Sequence, residues 1–441
     1  MLLNPYTPGQ LPRFLVGREA EFARIRRQLT RVEQRGEMGG PPLIFTAPRG
    51  VGKTSLLRSA AADAQAAGFL TAWVSCVRGA PFLPELGAAI TSANDELDTS
   101  SRSSTRLGSF TVEVGVPGVK ATAGFDRGSA VPSTSPLAGV GALEGLLHRT
   151  ARSVRDRGGA GLVVFLDELH AAQLHDLAVL LNAVQNLDGH RENNPLAVIA
   201  AGLPSTPAHV TRAATFGERS AFVALPRLGE AASARALVAP AAELGVPWSH
   251  DAIELVESNA AGYPYFLQLL GATTWDAAEP DQGTTLTEDH VRAGAVEASA
   301  QINAMYEARW HAASEQEQDF MQAMARHPDE DVPRAVIAQA LGRTSRAISV
   351  PRDRLIDKGI VESTTHGHVR FTLPGFAAYI RAQTGHDDHS ETIPNDPAPG
   401  PRLGGPTSLG LPMPPPDGPT ARSHRPEPPS AGPSYRTSPP R

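Results

Sequence analysis

The stretch TAPRGVGKTSLL, Thr46 to Leu57, constrains this chain more than any other. It follows the apolar run Pro42 to Phe45 and runs into helix-favouring residues, so a strand, a glycine-bearing loop and a helix succeed one another. Gly50 and Gly52 let the backbone turn tightly, so that successive amide N–H groups converge on one point. Lys53 and Thr54 begin the helix, whose amino terminus adds its partial positive charge. The result is a nest for an anion. Lys53 then reaches the β- and γ-phosphates of a nucleotide, and the Thr54 hydroxyl is placed for Mg²⁺. The common form of this pattern, GxxxxGK followed by Ser or Thr, has glycine where this chain has Ala47, a change that leaves the nest in place.

A second motif supports the phosphate reading over an incidental turn. GLVVFLDELH is a continuous apolar strand that ends in Asp167 and Glu168. Isolated carboxylates are costly at the end of a buried strand unless they have work to do there. In a parallel sheet the carboxyl ends of the strands face the ligand crevice, which sets the pair beside the phosphates. Asp167 then holds the Mg²⁺ hydration shell and Glu168 polarises the attacking water. His170, just beyond, has no Cys or His at zinc spacing and reads as a helix-start histidine.

Around these motifs, Val-, Ile- and Leu-rich strands alternate with helices: PPLIFTA, FLTAWVSCV, GLVVFLDE, PLAVIAAG and SAFVALP are the strands. That alternation implies an α/β domain with a parallel sheet covered on both faces. The expected organisation is an extension over 1–11, a P-loop domain over 12–225, a helical lid over 226–312, a winged helix over 313–385 and a tail over 386–441. Within the P-loop domain, a Ser-, Thr- and Gly-rich insertion at about 99–136 contains a strand, a Pro-Gly turn and a returning strand, read as a surface hairpin over 109–125. The tail, rich in proline, has too little apolar surface to offset its chain entropy and is expected to be disordered. Its RPEPP stretch fits a polyproline ligand of a protein partner, a pattern that proline-rich tails also reach by chance.

The chain resembles the P-loop ATPases of the AAA+ and STAND type, particularly those similar to archaeal origin-recognition initiators. Four motifs carry the likeness: FLVGREAEFARI (Phe14 to Ile25), APRGVGKTS, VFLDE, and AAGYPYFLQLLG (Ala260 to Gly271). The resemblance implies ATP or ADP with Mg²⁺ as cofactors. It sets Arg18 and Pro264 near the base, and Arg49, Gly50, Val51, Gly52, Lys53, Thr54 and Ser55 around the phosphates. Lys53 and Glu168 are then catalytic, and Thr54 and Asp167 hold the metal. Members of the family often borrow an arginine from a neighbouring subunit, so a homo-oligomer is an open expectation. Arg219 is the favoured candidate over Arg212, with a solvated arginine as the alternative, and Arg49 faces either the γ-phosphate or solvent. Two departures stand out. Gly202 occupies the end of the fourth strand, where the family places a polar residue, leaving Ser205 and Thr206 as the nearest hydroxyls. The lid carries Tyr263-Pro264-Tyr265 without the γ-phosphate-sensing arginine, closer to the STAND pattern and to a switch that holds nucleotide.

The carboxyl-terminal unit reads as helix, short helix, longer helix and β-hairpin, the order of a winged helix. The whole chain carries a formal charge of -6, so any nucleic-acid contact needs a local basic surface. Such a surface is present between residues 332 and 385, where Arg334, Arg343, Arg346, Arg352, Arg354, Lys358, Arg370 and Arg381 outweigh Asp353, Asp357 and Glu362. The third helix and a wing with Arg370 are therefore candidates for duplex DNA, with protein docking the alternative. Pro351 falls within that helix and is expected to kink or split it. The single cysteine, Cys76, excludes an internal disulfide and reads as a buried strand residue. No apolar run reaches the roughly 20 residues of a membrane span, and a cytoplasmic location is the expectation.

Two functions remain open at this level. One is an ATPase switch whose nucleotide state governs a DNA- or protein-binding winged helix. The other is a slow-turnover signalling or scaffold protein that retains nucleotide and binds proteins.

Overall fold

The structure is a computed structural model that describes residues 2–100, 113–114, 136–365 and 367–385. The chain begins with a segment over residues 2–16 and then alternates helix and strand. The order is α1 (Glu19–Arg35), β1 (Leu43–Thr46), α2 (Lys53–Ala66), β2 (Phe69–Ser75), α3 (Leu83–Ser100), β3 (Glu113–Val114) and α4 (Pro136–Asp156). β4 (Gly161–Asp167), α5 (Leu174–Asp188), β5 (Leu196–Gly202), α6 (Thr206–Ala213) and β6 (Ala221–Ala224) follow. The strands form one parallel sheet in the order β3-β2-β4-β5-β1-β6. This is a P-loop NTPase fold. β1, β4 and β5 are buried along their whole length, as their unbroken apolar sequences require when helices cover both faces.

That strand order decides where chemistry can occur. The carboxyl ends of β1 and β4, which carry the loop at 47–52 and Asp167, flank the end of β5. The Ala47 amide donates to the Gly202 carbonyl at 3.1 Å, and the Cys76 amide donates to the Asp167 carbonyl at 2.9 Å, so these ends are tied into one rim. Cys76 is buried just past β2, and burial pushes its thiol up to about 12.

The sequence expectations differ from the structure at two points in this region. α3 was not anticipated. The hairpin over 109–125 lies outside the described residues except Glu113–Val114, and these pair in parallel with Trp73 and Val74 as the edge of the main sheet.

Four helices follow: α7 (Glu230–Ala242), α8 (His250–Ala260), α9 (Pro264–Ala278) and α10 (Glu288–His311). Their starts have local causes. Ser249 accepts from the Ala252 amide at 3.3 Å to cap α8, Pro264 opens α9 at the position where its missing N–H costs nothing, and Thr287 and His290 form a reciprocal cap on α10. The residues read as an extension over 1–11 lie on this helical layer. Tyr6 is buried between Trp248 and Trp275, and its hydroxyl donates to the Leu237 carbonyl at 2.6 Å and accepts from Trp248 Nε1 at 2.8 Å.

The last unit runs α11 (Glu315–Ala325), β7 (Val332–Pro333), α12 (Arg334–Ala340), α13 (Ser349–Asp357), β8 (Val361–Ser363), β9 (His368–Phe371) and α14 (Phe376–Gln383). Its three strands form an antiparallel sheet in the order β7-β9-β8. Three helices thus precede the β8–β9 pair, with β7 joining the sheet ahead of α12. Pro351 splits the expected third helix: residues 345–348 are turn, and α13 starts at Ser349, so the proline sits in the first turn, where no intrahelical donor is needed. The tail over 386–441 lies outside the described residues. One continuous hydrophobic core runs from the α1/α2 face of the sheet through the helical layer into this last unit, and a second core fills the α3/α4/α5 face.

Candidate nucleotide site

The loop after β1 is built as its sequence demands. Gly50 and Gly52 have φ of 81° and 94°, values that residues with a Cβ rarely adopt. Gly50 also has a steric reason. A Cβ on Gly50 would overlap the Tyr263 hydroxyl, whereas Gly52 faces open space. Lys53, at the start of α2, is 5 % exposed, and its Nζ donates to the Pro48 carbonyl at 2.9 Å, curling back over the loop. Burial pulls its pKa below the usual lysine range, while Glu168 and Asp167 oppose that shift.

The Thr54 hydroxyl donates to Asp167 Oδ2 at 2.6 Å. Asp167 is buried, and burial raises its pKa while the Thr54 hydrogen bond and the Glu168 amide, at 2.9 Å from Oδ1, hold it down. Among the described residues, no group of three or more His, Cys, Asp or Glu side chains is arranged to hold a metal. One hydroxyl and one carboxylate, both hard oxygen donors beside a phosphate nest, nevertheless fit Mg²⁺, which keeps several waters and takes its remaining ligands from phosphates.

These groups open into a cavity of about 340 Å³. Arg18, Arg49, Gly50, Val51, Gly52, Lys53, Thr54, Ser55, Glu168 and Pro264 all line it, so nearly every residue singled out in the sequence converges there. Asp167 sits immediately behind Thr54. Arg219 does not line the cavity: it ends a short 3₁₀ turn over Thr215–Arg219 and is exposed, as is Arg212. Glu168, at the strand end, takes the left-handed conformation at φ 53°, an uncommon choice for a side chain of its size, and lines the cavity.

Arg18 is 2 % exposed. Its Nη2 donates to the Val51 carbonyl at 2.9 Å, and its Nη1 has no hydrogen-bond partner. Burial lowers its pKa. Arg18 thus lines the cavity while one nitrogen of its guanidinium is buried and unpaired.

Several site residues escaped the sequence reading. Thr7, Gly9 and Gln10 from the amino-terminal segment line the cavity together with Gln268, whose Oε1 accepts from the Thr7 amide at 3.1 Å. The segment is neither periodic nor glycine-patterned, and only its prolines hint at an extended path. Tyr263, fully buried, donates its hydroxyl to the Arg49 carbonyl and so clamps the loop from the helical layer. The carboxyl-terminal unit also reaches the rim. Arg49 Nη1 donates to the Lys358 carbonyl at 3.3 Å, and a Cβ on Gly359 would lie 3.2 Å from Leu203. Arg309 donates to the Gly359 carbonyl at 3.2 Å and to Thr372 Oγ1 at 2.8 Å, and Arg227 to the Thr372 carbonyl at 3.3 Å.

The basic face expected on that unit is smaller than its sequence suggests. Arg370 is bound by Glu362 at 2.7 Å across the β8–β9 pair, Arg352 by Asp353 at 2.8 Å, and Lys358 by the buried Glu317 at 2.6 Å. Arg381 donates to the Ala325 carbonyl at 2.8 Å. Arg370 in the wing is thus neutralised by its cross-strand partner, whereas Arg343, Arg346 and Arg354 are exposed on the α12–α13 turn and on α13. Among the described residues, no helix is long and apolar enough to cross a membrane.

With this geometry in view, the comparisons support a P-loop NTPase fold that contains an AAA ATPase domain. Residues 15–199 match the family described as AAA ATPase domain, and residues 303–380 match a domain of unknown function, DUF8462. Among solved structures, the fold is similar to the ORC2 protein of Aeropyrum pernix, in its ADPNP–ADP complexes, at 16% identity and a TM-score of 0.53, covering 86% of this chain and 98% of that one. It is also similar to the Walker-type ATPase PABY2304 of Pyrococcus abyssi at 13% identity and a TM-score of 0.54, covering 83% and 96%. Identities this low establish shared fold. No curated protein matches the sequence.

Proposed function

We propose that the protein is an ATP-binding, slowly hydrolysing switch whose nucleotide state controls how its carboxyl-terminal unit is held. The observation that carries this reading is the meeting of the glycine nest, Lys53, Thr54 and Glu168 on one cavity, with Asp167 bonded to Thr54 behind it. The unmet donor of Arg18 and the pocket formed by Thr7, Gln10, Pro264 and Gln268 suit a nucleoside, with the phosphates running toward Lys53. In the bound state Lys53 leaves the Pro48 carbonyl for the phosphates, and the Thr54 hydroxyl and Asp167 would hold Mg²⁺, which would supply charge neutralisation. Glu168, at the cavity mouth, orients the attacking water.

Slow turnover follows from the end of β5. Gly202 offers no side chain there, a Cβ at that position would overlap the Thr206 hydroxyl, and that hydroxyl is already committed to the Leu203 carbonyl at 2.6 Å. Control of the carboxyl-terminal unit is supported by Arg49, a loop residue whose guanidinium is shared between the cavity and the Lys358 carbonyl. A γ-phosphate competes for that guanidinium, so ATP weakens the grip and ADP restores it. For DNA, the exposed Arg343, Arg346 and Arg354 favour contact through the α12–α13 turn, with the phosphate backbone as the target. The committed Thr206 hydroxyl also favours a second reading, a nucleotide-retaining scaffold that binds proteins through the same unit.

Steady-state ATP hydrolysis, with and without duplex DNA and with Lys53→Ala as the blank, separates these. Turnover above the blank that Glu168→Gln abolishes supports the hydrolysing switch, and stimulation by DNA assigns the partner. Turnover equal to the blank, with retained ADP in the purified protein, refutes hydrolysis and favours the scaffold.

A further inference from the structure

His170 lies three residues past Asp167, in a 3₁₀ turn over Leu169–Ala171, and the sequence offered no role for it. Its side chain is only 5 % exposed. The Leu203 amide, the first N–H beyond β5, donates to its Nδ1 at 3.4 Å, and its Nε2 stands 3.5 Å from Glu168 Oε2. With Nδ1 accepting, the ring hydrogen resides on Nε2, the nitrogen 3.5 Å from the carboxylate. Burial, then Arg49, Lys53, Arg78 and His209 around it, push its pKa down to about 4, so the ring is neutral at neutral pH. The Leu203 contact is long, as catalytic hydrogen bonds commonly are before substrate closes the site, and the Nε2–carboxylate distance leaves room to tighten in the same way.

A histidine that merely filled a helix start would have no cause to bridge the end of β5 to the carboxylate at the cavity mouth. The bridge also lies where a polar side chain is missing, since Gly202 immediately precedes the amide that His170 uses. We propose that His170 is the positioning residue for Glu168, its imidazole anchored on the Leu203 amide and its Nε2–H steering the Glu168 carboxylate toward the attacking water. Leu203 packs against Gly359, so the relay has the carboxyl-terminal unit directly behind it. The proposal rests on the hydrolytic reading above.

The test compares steady-state ATP hydrolysis and fluorescent-ADP affinity of the full chain for wild type, His170→Gln, His170→Leu and Glu168→Gln, against the Lys53→Ala blank. Gln supplies an acceptor for the amide and a donor for the carboxylate, and Leu supplies neither. His170→Leu is expected to lower kcat about tenfold or more with KM and ADP affinity unchanged, and His170→Gln to retain kcat within about threefold. Wild-type turnover in His170→Leu, or equal losses in the Leu and Gln variants, overturns the proposal while leaving hydrolysis intact. Wild-type turnover no higher than the blank overturns hydrolysis and positioning together. Nitrogen-15 shifts of His170 in the wild type provide a check that needs no variant: a neutral ring protonated at Nε2 is expected at pH 7, and the opposite tautomer or an imidazolium overturns it.

Discussion

Tyr6→Phe removes one buried oxygen from the junction between the amino-terminal segment and the helical layer, and its cost follows from the structure. The hydroxyl donates to the Leu237 carbonyl and accepts from Trp248 Nε1 at 2.6 and 2.8 Å, in a residue 4 % exposed. Burial raises the phenol pKa, so the hydroxyl is protonated throughout the working range. Losing the bond to Leu237 costs about 1 kcal/mol, and leaving the Trp248 N–H without an acceptor costs roughly 1–3 kcal/mol more. The variant should therefore be about 2–4 kcal/mol less stable. Phe keeps the edge contacts to Trp248 and Trp275, whose ring centres lie 6.3 and 6.2 Å away, so the loss isolates the hydroxyl. Urea unfolding followed by tryptophan emission reads the change directly, because Trp248 and Trp275 flank the site. The next residues, Thr7, Gly9 and Gln10, line the nucleotide cavity, so ADP binding should weaken in the same variant. A loss under about 0.5 kcal/mol with unchanged ADP affinity would show that the segment is an appendage and refute the reasoning.

Arg49→Ala deletes the bond from the phosphate loop to the Lys358 carbonyl, worth roughly 0.5–1.5 kcal/mol, and should speed amide exchange around 358–363 about two- to tenfold with ADP bound; exchange unchanged there would refute the coupling. The depressed pKa of His170 predicts a pH dependence. The unfolded ring takes up a proton near pH 6.5 and the folded one near 4, so the unfolded state binds more protons between these values, and the stability contribution is full above 6.5 and lost as pH falls toward 4. Relative to His170→Gln, the wild type should lose up to roughly 3 kcal/mol over that window in pH-resolved chemical denaturation. The raised pKa of Asp167 acts with the opposite sign but is common to both proteins, so parallel curves would refute the assignment.

Local features of the sequence were enough to draw the glycine loop and the carboxylate-bearing strand end that meet at the cavity. Gly50, Gly52 and Lys53 specify a loop conformation and a helix start by their own stereochemistry, and the apolar run before Asp167 can only be a covered strand, so both motifs are legible one residue after another. The rest of the cavity lining was less legible. Arg18 and Pro264 were found through family likeness, whereas Thr7, Gly9, Gln10 and Gln268 meet across more than 250 positions of chain with no periodicity to betray them. Charge was the least transferable quantity. Counting arginines marked the carboxyl-terminal unit as basic, but cross-strand pairing gave Arg370 to Glu362, and a buried carboxylate took Lys358.

The sequence by itself thus determined the nest, the strand that carries the carboxylates and the alternation that makes a parallel sheet, because each depends on residues a few positions apart. Only the tertiary structure decided which residues share the rim. β5 lies between β1 and β4, and that arrangement brings Gly202, Leu203 and His170 beside Glu168. The same packing sets Lys358 and Gly359 against Arg49 and Leu203. Such meetings are fixed by the burial of whole faces and not by local preference, so no short stretch of the chain contains them.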